Sequence, residues 1–393
     1  MLDDFLALQA QTNPYPLSLD VVRAEGLYLY DRAGRRYTDL IAGLAVANVG
    51  HRHPEVVAAI EAQVGAYLHV MPYGEFVQGP QVRLARKLAA LLPEALSVSY
   101  FVNSGAEAIE GALKLVKRCT GRRELVACHR SYHGSTHGAL SVTGNATKRD
   151  AYEPLLPGVR FVDFGDAAQL DAITERTAGV LIETVQGDAG VRIPSAGYLQ
   201  AVRARCDEVG ALLILDEIQT GCGRTGTMFA FEQFGVVPDV LCIAKALGGG
   251  MPMGAFVARR GLMHELSHTP SLGHITTFGG HPVCCAAAVA SLGVIERDLL
   301  AGVAAKGRLL AERLRHPLVR EVRQIGLMLA VDLPSAEATR RVVQRCLERG
   351  QLTFFFLSCP ASFRLAPPLT ITHAQIEESC AVILEVFDEV MHA

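Results

Sequence analysis

Short aliphatic runs that do not alternate with polar residues set the tightest limit on what this chain can fold into. Residues 125–128, 180–182, 212–215, 240–244 and 254–258 each read as a strand with no solvent-facing side. Between them, residues 105–118 and 198–209 carry helical periodicity. A strand buried on both faces needs helices above and below it. The pattern therefore predicts an α/β architecture on a mostly parallel sheet covered by helices. Such sheets bind ligands in the crevice beyond the carboxyl ends of their strands, so the residue directly after each run is the one to inspect.

The 393 residues exceed one average domain. We expect a large domain over 51–290, and a smaller α+β domain assembled from 1–50 and 291–393, where strand-like segments at 327–333 and 363–366 alternate with helical patterns. Net charge is −3 with no block of like charges, which gives no electrostatic footprint for nucleic acid or an anionic membrane. The start, MLDDFLALQAQTNPYP, lacks a basic region followed by an apolar core, and the apolar runs elsewhere are too short to span a bilayer. The ten cysteines form no C-x-x-C pair, and Cys284 beside Cys285 suits helix packing better than a disulfide. Free thiols in a reducing compartment fit that usage, so a cytoplasmic location is expected.

Two of the polar residues that directly follow these runs form a chemically suggestive pair. Asp216 comes after 212–215 in LLILDEIQTGCGRTG, and Lys245 after 240–244 in VLCIAKALGGGMPMGAF. Alone, an acid there is usually a cap and a lysine a solvated side chain. At two strand ends of one sheet they can face a common ligand, and pyridoxal 5′-phosphate (PLP) needs that pair. A lysine amine holds the cofactor as a Schiff base and later moves a proton, while a carboxylate keeps the pyridine nitrogen protonated. The phosphate needs backbone N–H groups at a helix start, which Asn103, Ser104, Gly105 and Ala106 supply in VNSGAEAIEGALKLVKR; an ordinary capped helix reads the same way. Tyr132 in SYHGSTHG could lie against the flat ring. His129, His133 and His137, like His51 and His53, lack supporting carboxylates or thiolates at ligand spacing, so no metal is expected.

The ordered set SGAEA, YHG, ETVQGDAG, DEIQTGCGRTG, AKALGGGMPMGA and TTFGGHP resembles the class III (ornithine/4-aminobutyrate-type) aminotransferases of PLP fold type I, over nearly the whole chain. That resemblance implies Lys245 as the Schiff-base lysine and Asp216 as the partner of the pyridinium nitrogen. Ser104, Gly105 and Ala106 would bind the phosphate, Tyr132 would stack on the ring, Gln219 would approach the phenolic oxygen, and Glu183 would shape the pocket. Thr277 would reach the phosphate of a neighbouring subunit, which implies a homodimer. Arg364 would grip a substrate carboxylate, with Asp188 at the position of its usual acidic partner, more often Glu. A shorter acid would pair less well.

Several positions depart from the family pattern. Ser135 stands where ornithine- and acetylornithine-type enzymes usually place an arginine for the distal carboxylate. Tyr15 is displaced from a pocket tyrosine's usual place, Leu44 replaces an often aromatic residue, and His281 turns GGNP into GGHP. The expected reaction is transfer of an amino group from an amino acid or amine to a 2-oxo acid, with the donor open. A racemase or epimerase on the same motifs is the alternative, and a non-catalytic relative a third reading that Lys245 and Asp216 argue against.

Overall fold

The computed structural model describes residues 1–72 and 74–392. After a short helix at Leu2–Leu8, the strands β1 (Val21–Glu25), β2 (Tyr28–Asp31) and β3 (Arg36–Asp39) form an antiparallel meander. Gly26 and Gly34 take left-handed φ values of 58° and 82° at its two turns, where a side chain would be strained.

The central sheet is built from β4 (Val98–Val102), β5 (Glu124–Cys128), β6 (Val159–Val162), β7 (Thr177–Glu183), β8 (Leu212–Asp216), β9 (Val240–Ala244) and β10 (Gly254–Ala258), in the order β4-β10-β9-β8-β7-β5-β6. All run parallel except β10, which pairs antiparallel with both neighbours. The run at 254–258 thus joins the sheet in the opposite sense from the parallel series. Only residues 245–253 separate β9 from β10, too few for a helical crossover. Successive side chains feed two cores. Leu125, Ala127, Leu181 and Ile214 pack with the helix Gly105–Thr120 on one face, and Val126, Cys128, Leu213 and Leu215 belong to the other. Burial on both faces is why these strands carry no polar alternation.

The helix Gly105–Thr120 begins where β4 ends. Ser104 caps it by accepting the Glu107 N–H at 3.2 Å, and Glu107 accepts the Asn103 N–H at 2.7 Å. It sits close on the sheet because Gly111 has no side chain: a Cβ there would lie 2.2 Å from Phe256 of β10.

The last strands are β11 (Glu321–Ile325), β12 (Met328–Asp332), β13 (Gln351–Leu352), β14 (Phe354–Phe355) and β15 (Ser362–Leu365). Four form an antiparallel sheet in the order β11-β12-β15-β14, while β13 pairs parallel with β3 and ties the two chain ends together. The helix Pro282–Val294, which buries Cys284 and Cys285, runs through a π-helical turn at Ile295–Leu299 into the helix Leu300–Arg313. The division expected at residue 290 falls inside that continuous rod. Among the described residues, no helix is long and apolar enough to cross a membrane.

Candidate active site

Five strands of the central sheet end on one cavity of about 740 Å³. β4 delivers Ser104, Gly105 and Ala106; β5 leads to Tyr132, His133 and Ser135; β7 ends on Glu183, β8 on Asp216, and β9 is followed by Lys245. Gln219 also lines it, so eight of the nine residues expected to touch the cofactor meet here, all but Thr277. The wall is otherwise largely apolar, with Val46, Val185, Ile218, Met251 and Met253.

Lys245 sits at φ 48°, a left-handed conformation that a lysine adopts only when its surroundings impose it. Its ammonium is pulled below the ordinary lysine value, first by loss of hydration. The positive field of Arg364 adds to that, while Asp216, Glu183 and Asp188 oppose it.

Asp216 is fixed by two contacts. One oxygen accepts the Ile218 N–H at 2.9 Å, and the other lies 2.7 Å from Nδ1 of the fully buried His133. The Nε2 of His133 has no hydrogen-bond partner among the described residues. Glu183 accepts N–H groups from Tyr132 at 3.1 Å and Gly187 at 2.8 Å. Burial pushes its carboxyl up to about 7, with Asp216 adding to the rise and His133 opposing it.

The first turn of the Gly105–Thr120 helix offers backbone N–H groups that no intrahelical acceptor can use. Gly105 lets that turn approach the loop after β8, since a Cβ would meet Ile218 at 2.8 Å. Tyr132 stands partly exposed at the cavity, its hydroxyl 3.3 Å from Ser135 Oγ, so the wall at Ser135 is neutral. Gln219 is accommodated by Gly187, whose missing Cβ would fall 2.0 Å from its Oε1.

Arg364 projects from β15 and is buried, yet it does not line the cavity. It meets the wall through Asp188, with Nη2 3.1 Å from Oδ1, and its guanidinium lies 4.4 Å from the Phe356 ring centre. The shorter acid therefore makes a one-point contact with the arginine. Thr277 lies outside this cavity, on an exposed stretch with Ile275 and Phe278.

The positions that depart from the family pattern are also resolved. Tyr15 is exposed and outside the cavity wall. His281 accepts the Val283 N–H at 3.3 Å and caps the Pro282–Val294 helix. Leu44 belongs to a turn in which Ala42, Gly43, Leu44 and Ala45 all have positive φ. Each non-glycine residue there costs roughly 1–2 kcal/mol. Asp39 holds the turn, accepting the Ile41 and Ala42 N–H groups at 3.0 and 2.9 Å, and is itself braced by His51 at 2.8 Å. The turn delivers Val46 to the cavity.

Sequence reasoning missed two supports. In the sequence His133 reads only as one of a histidine cluster, although its place beside Tyr132 after β5 points to the same site. Arg224 is fully buried and donates to the carbonyls of Leu327 and Pro367, each at 2.7 Å, and to Asn48 Oδ1. It joins the loop after β8 to both chain ends, and burial lowers its pKa to about 9.

Comparison with known proteins bears on this arrangement. The family model described as aminotransferase class-III matches residues 9–387. Acetylornithine aminotransferase of Methanocaldococcus jannaschii is 39% identical over 389 residues, covering 95% of this chain and 94% of that protein. Putrescine aminotransferase of Pectobacterium atrosepticum is 41% identical over 382 residues, covering 92% and 80%. A structure of ornithine aminotransferase from Toxoplasma gondii, with PLP at partial occupancy in its active site, superposes with a TM-score of 0.92 at 28% identity, covering 100% of this chain and 95% of that one.

Proposed function

The chain belongs to the class-III aminotransferase family, and from that membership we propose that its cavity takes the amino group of a terminal primary amine and passes it to a 2-oxo acid held by Arg364. The carrying observation is the pairing of Lys245 and Asp216 at the ends of neighbouring strands β9 and β8, beneath a helix N-terminus. Acetylornithine and putrescine, named in two relatives, both present a primary amine at a chain end. The neutral wall at Ser135 and Val46 suits donors whose far end needs no cationic partner. Nothing in these matches favours the racemase alternative.

Family membership makes the enzyme PLP-dependent, and the residues fit that cofactor. PLP, when bound, supplies an aldehyde carbon for the amino group and a ring that draws electrons from the donor's C–H bond. Asp216, held by Ile218 and His133, would be the carboxylate that keeps the ring nitrogen protonated. The backbone of Ser104, Gly105 and Ala106 would hold the phosphate, Tyr132 would lie against the ring, and Gln219 and Glu183 would flank it. Nζ of Lys245 would carry the cofactor until the donor amine displaced it; the freed amine would then be placed to take the proton from the donor carbon, a task that its depressed pKa favours.

The surface around Thr277 supports a homodimer with Thr277 reaching the partner's phosphate site. Leu272, Ile275, Phe278, Phe76 and Val77 are all exposed there or on the nearby segment before the Gly79–Leu91 helix. We place the enzyme in the cytoplasm, in keeping with its free cysteines.

A half-reaction tests the reading. Holoenzyme mixed with 1,4-diaminobutane, without acceptor, should convert its cofactor to the amine form by absorbance, and 2-oxoglutarate should reverse the change; N-acetylornithine, whose far carboxylate meets no cation at Ser135, should react less well. Solvent deuterium entering an amino acid's α-carbon while the cofactor spectrum persists would mark a racemase and overturn it.

A further inference from the structure

The contact between Asp188 and Arg364 has a third participant. Asp188 Oδ1 accepts the Arg364 Nη2–H at 3.1 Å and the Leu357 N–H at 3.2 Å. Its Oδ2 accepts the Ser358 hydroxyl at 2.8 Å. Ser358 Oγ in turn accepts from Asn145 Nδ2 at 2.8 Å, which leaves its only hydrogen for Asp188. Asn145 lies just after Gly144, which is bonded to Arg130 and Ser131 in the loop leading to Tyr132. The acid is thus tied through Ser358 and Asn145 to the loop that leads to Tyr132.

The loop that carries Asp188 is fixed as well. Gly187 donates to Glu183 at 2.8 Å, Gly190 O accepts from Arg323 Nε at 2.6 Å, and Gln186 pairs with Arg192. On the other side, the Nε–H of the buried Arg364 has no partner among the described residues. A carboxylate this close to a buried guanidinium would normally close a two-point grip, the stronger geometry. Here one of its oxygens is committed elsewhere.

We propose that Ser358, oriented by Asn145, is a positioning residue that holds Asp188 in a one-point contact and so keeps Arg364 ready for the carboxylate of the 2-oxo acid. Without the hydroxyl, Oδ2 of Asp188 loses its donor at a partly buried position, and the arginine already touching the same carboxylate has an unused N–H. The pair closes, and the incoming carboxylate must displace a two-point partner instead of a one-point one. One additional charge-assisted hydrogen bond corresponds to roughly a tenfold loss of carboxylate affinity. Amine donors with no carboxylate at the reacting carbon do not use Arg364 and are unaffected.

The proposal rests on the assignment of Arg364 to the acceptor carboxylate, and two measurements separate the failures. In the first, 2-oxoglutarate is titrated by calorimetry into holoenzyme without any amine, which reads binding whether or not turnover follows. Ser358→Ala should weaken binding about tenfold, Ser358→Thr should restore it, and Asn145→Ala should fall between. In a Asp188→Ala background, Ser358→Ala should have no effect. In the second, steady-state kinetics with 1,4-diaminobutane should show a raised KM for the oxo acid in Ser358→Ala, with the rate of the amine half-reaction unchanged. Equal or tighter binding in Ser358→Ala, the same loss in the Asp188→Ala background, or equal damage to both half-reactions would overturn the proposal. If wild-type enzyme binds 2-oxoglutarate and Arg364→Ala binds it as well, the assignment of Arg364 itself fails.

Discussion

Replacing Gly111 by alanine should separate the helix that begins at the cavity from the sheet beneath it. The added Cβ would fall 2.2 Å from Cε1, 2.7 Å from Cδ1 and 2.8 Å from Cζ of Phe256. Ordinary contact begins near 3.4 Å, so helix and ring must part by about 1.2 Å (3.4 minus 2.2). The ring has nowhere to go: Phe256 is fully buried and stacked on Tyr100 with centroids 5.0 Å apart. Overpacking of this kind costs about 1–3 kcal/mol, and alanine's better helix propensity returns at most about 1 kcal/mol. With an overlap this deep the cost lies at the upper end of that range, which leaves a destabilisation of about 2 kcal/mol, measurable by urea denaturation of the cofactor-free protein followed by circular dichroism. The displacement reaches the first turn at Ser104 and Gly105, so PLP affinity should fall about three- to tenfold, the scale of one helix-terminus interaction. Combining the change with Phe256→Leu should recover part of both losses. A Gly111→Ala protein as stable as wild type, with unaltered PLP affinity, would refute the claim that this close approach positions the phosphate site.

Two further outcomes are expected. Glu217 is fully buried beneath Ala230 N and Phe231 N, each at 2.6 Å, and Thr184 Oγ1 at 2.9 Å, yet burial pushes its carboxyl up from 4.5 to about 7. A folded pKa above the unfolded one gives a contribution that is fully present below about pH 4.5 and lost as pH rises through 7, about 3 kcal/mol in all. Glu217→Gln, which cannot titrate, should be less stable at pH 5 because its amide faces an N–H donor, and its stability should fall less between pH 5 and 8; an equal fall in both proteins would contradict this. Ile275→Asp puts a charge on the exposed stretch beside Thr277 and should convert a dimer to monomers by sedimentation velocity, with weaker PLP binding. A monomeric wild type would count against the composite site.

Much of the site was legible because burial on both faces erases alternation in a parallel strand. That made β5, β7, β8 and β9 visible as runs, and put Asp216 and Lys245 in view as the polar residues that end two of them. The edge strands gave no such signal: β4 and β6 are only partly buried, and their segments mix polar with apolar residues. The reversed direction of β10 is set by the length of its connection to β9, which an aliphatic run does not encode. The turn at Ala42–Ala45 is written as apolar residues that would suit a right-handed helix; Asp39 and His51 impose the left-handed course from outside it. The His133–Asp216 contact joins residues 83 positions apart, so only the fold brings the histidine out of its apparent cluster with His129 and His137. Likewise, Asp188 and Arg364 could be paired by family resemblance, but the hold of Ser358 and Asn145 on that pair could not.

The most direct measurement is to reduce the PLP-loaded protein with borohydride and map the modified peptide by mass spectrometry. A single phosphopyridoxyl group is expected on Lys245, absent from Lys245→Ala and suppressed when 1,4-diaminobutane is added before reduction. Modification of another lysine in the wild type, or none, would contradict the assignment of this cavity as the place where the amino group is exchanged.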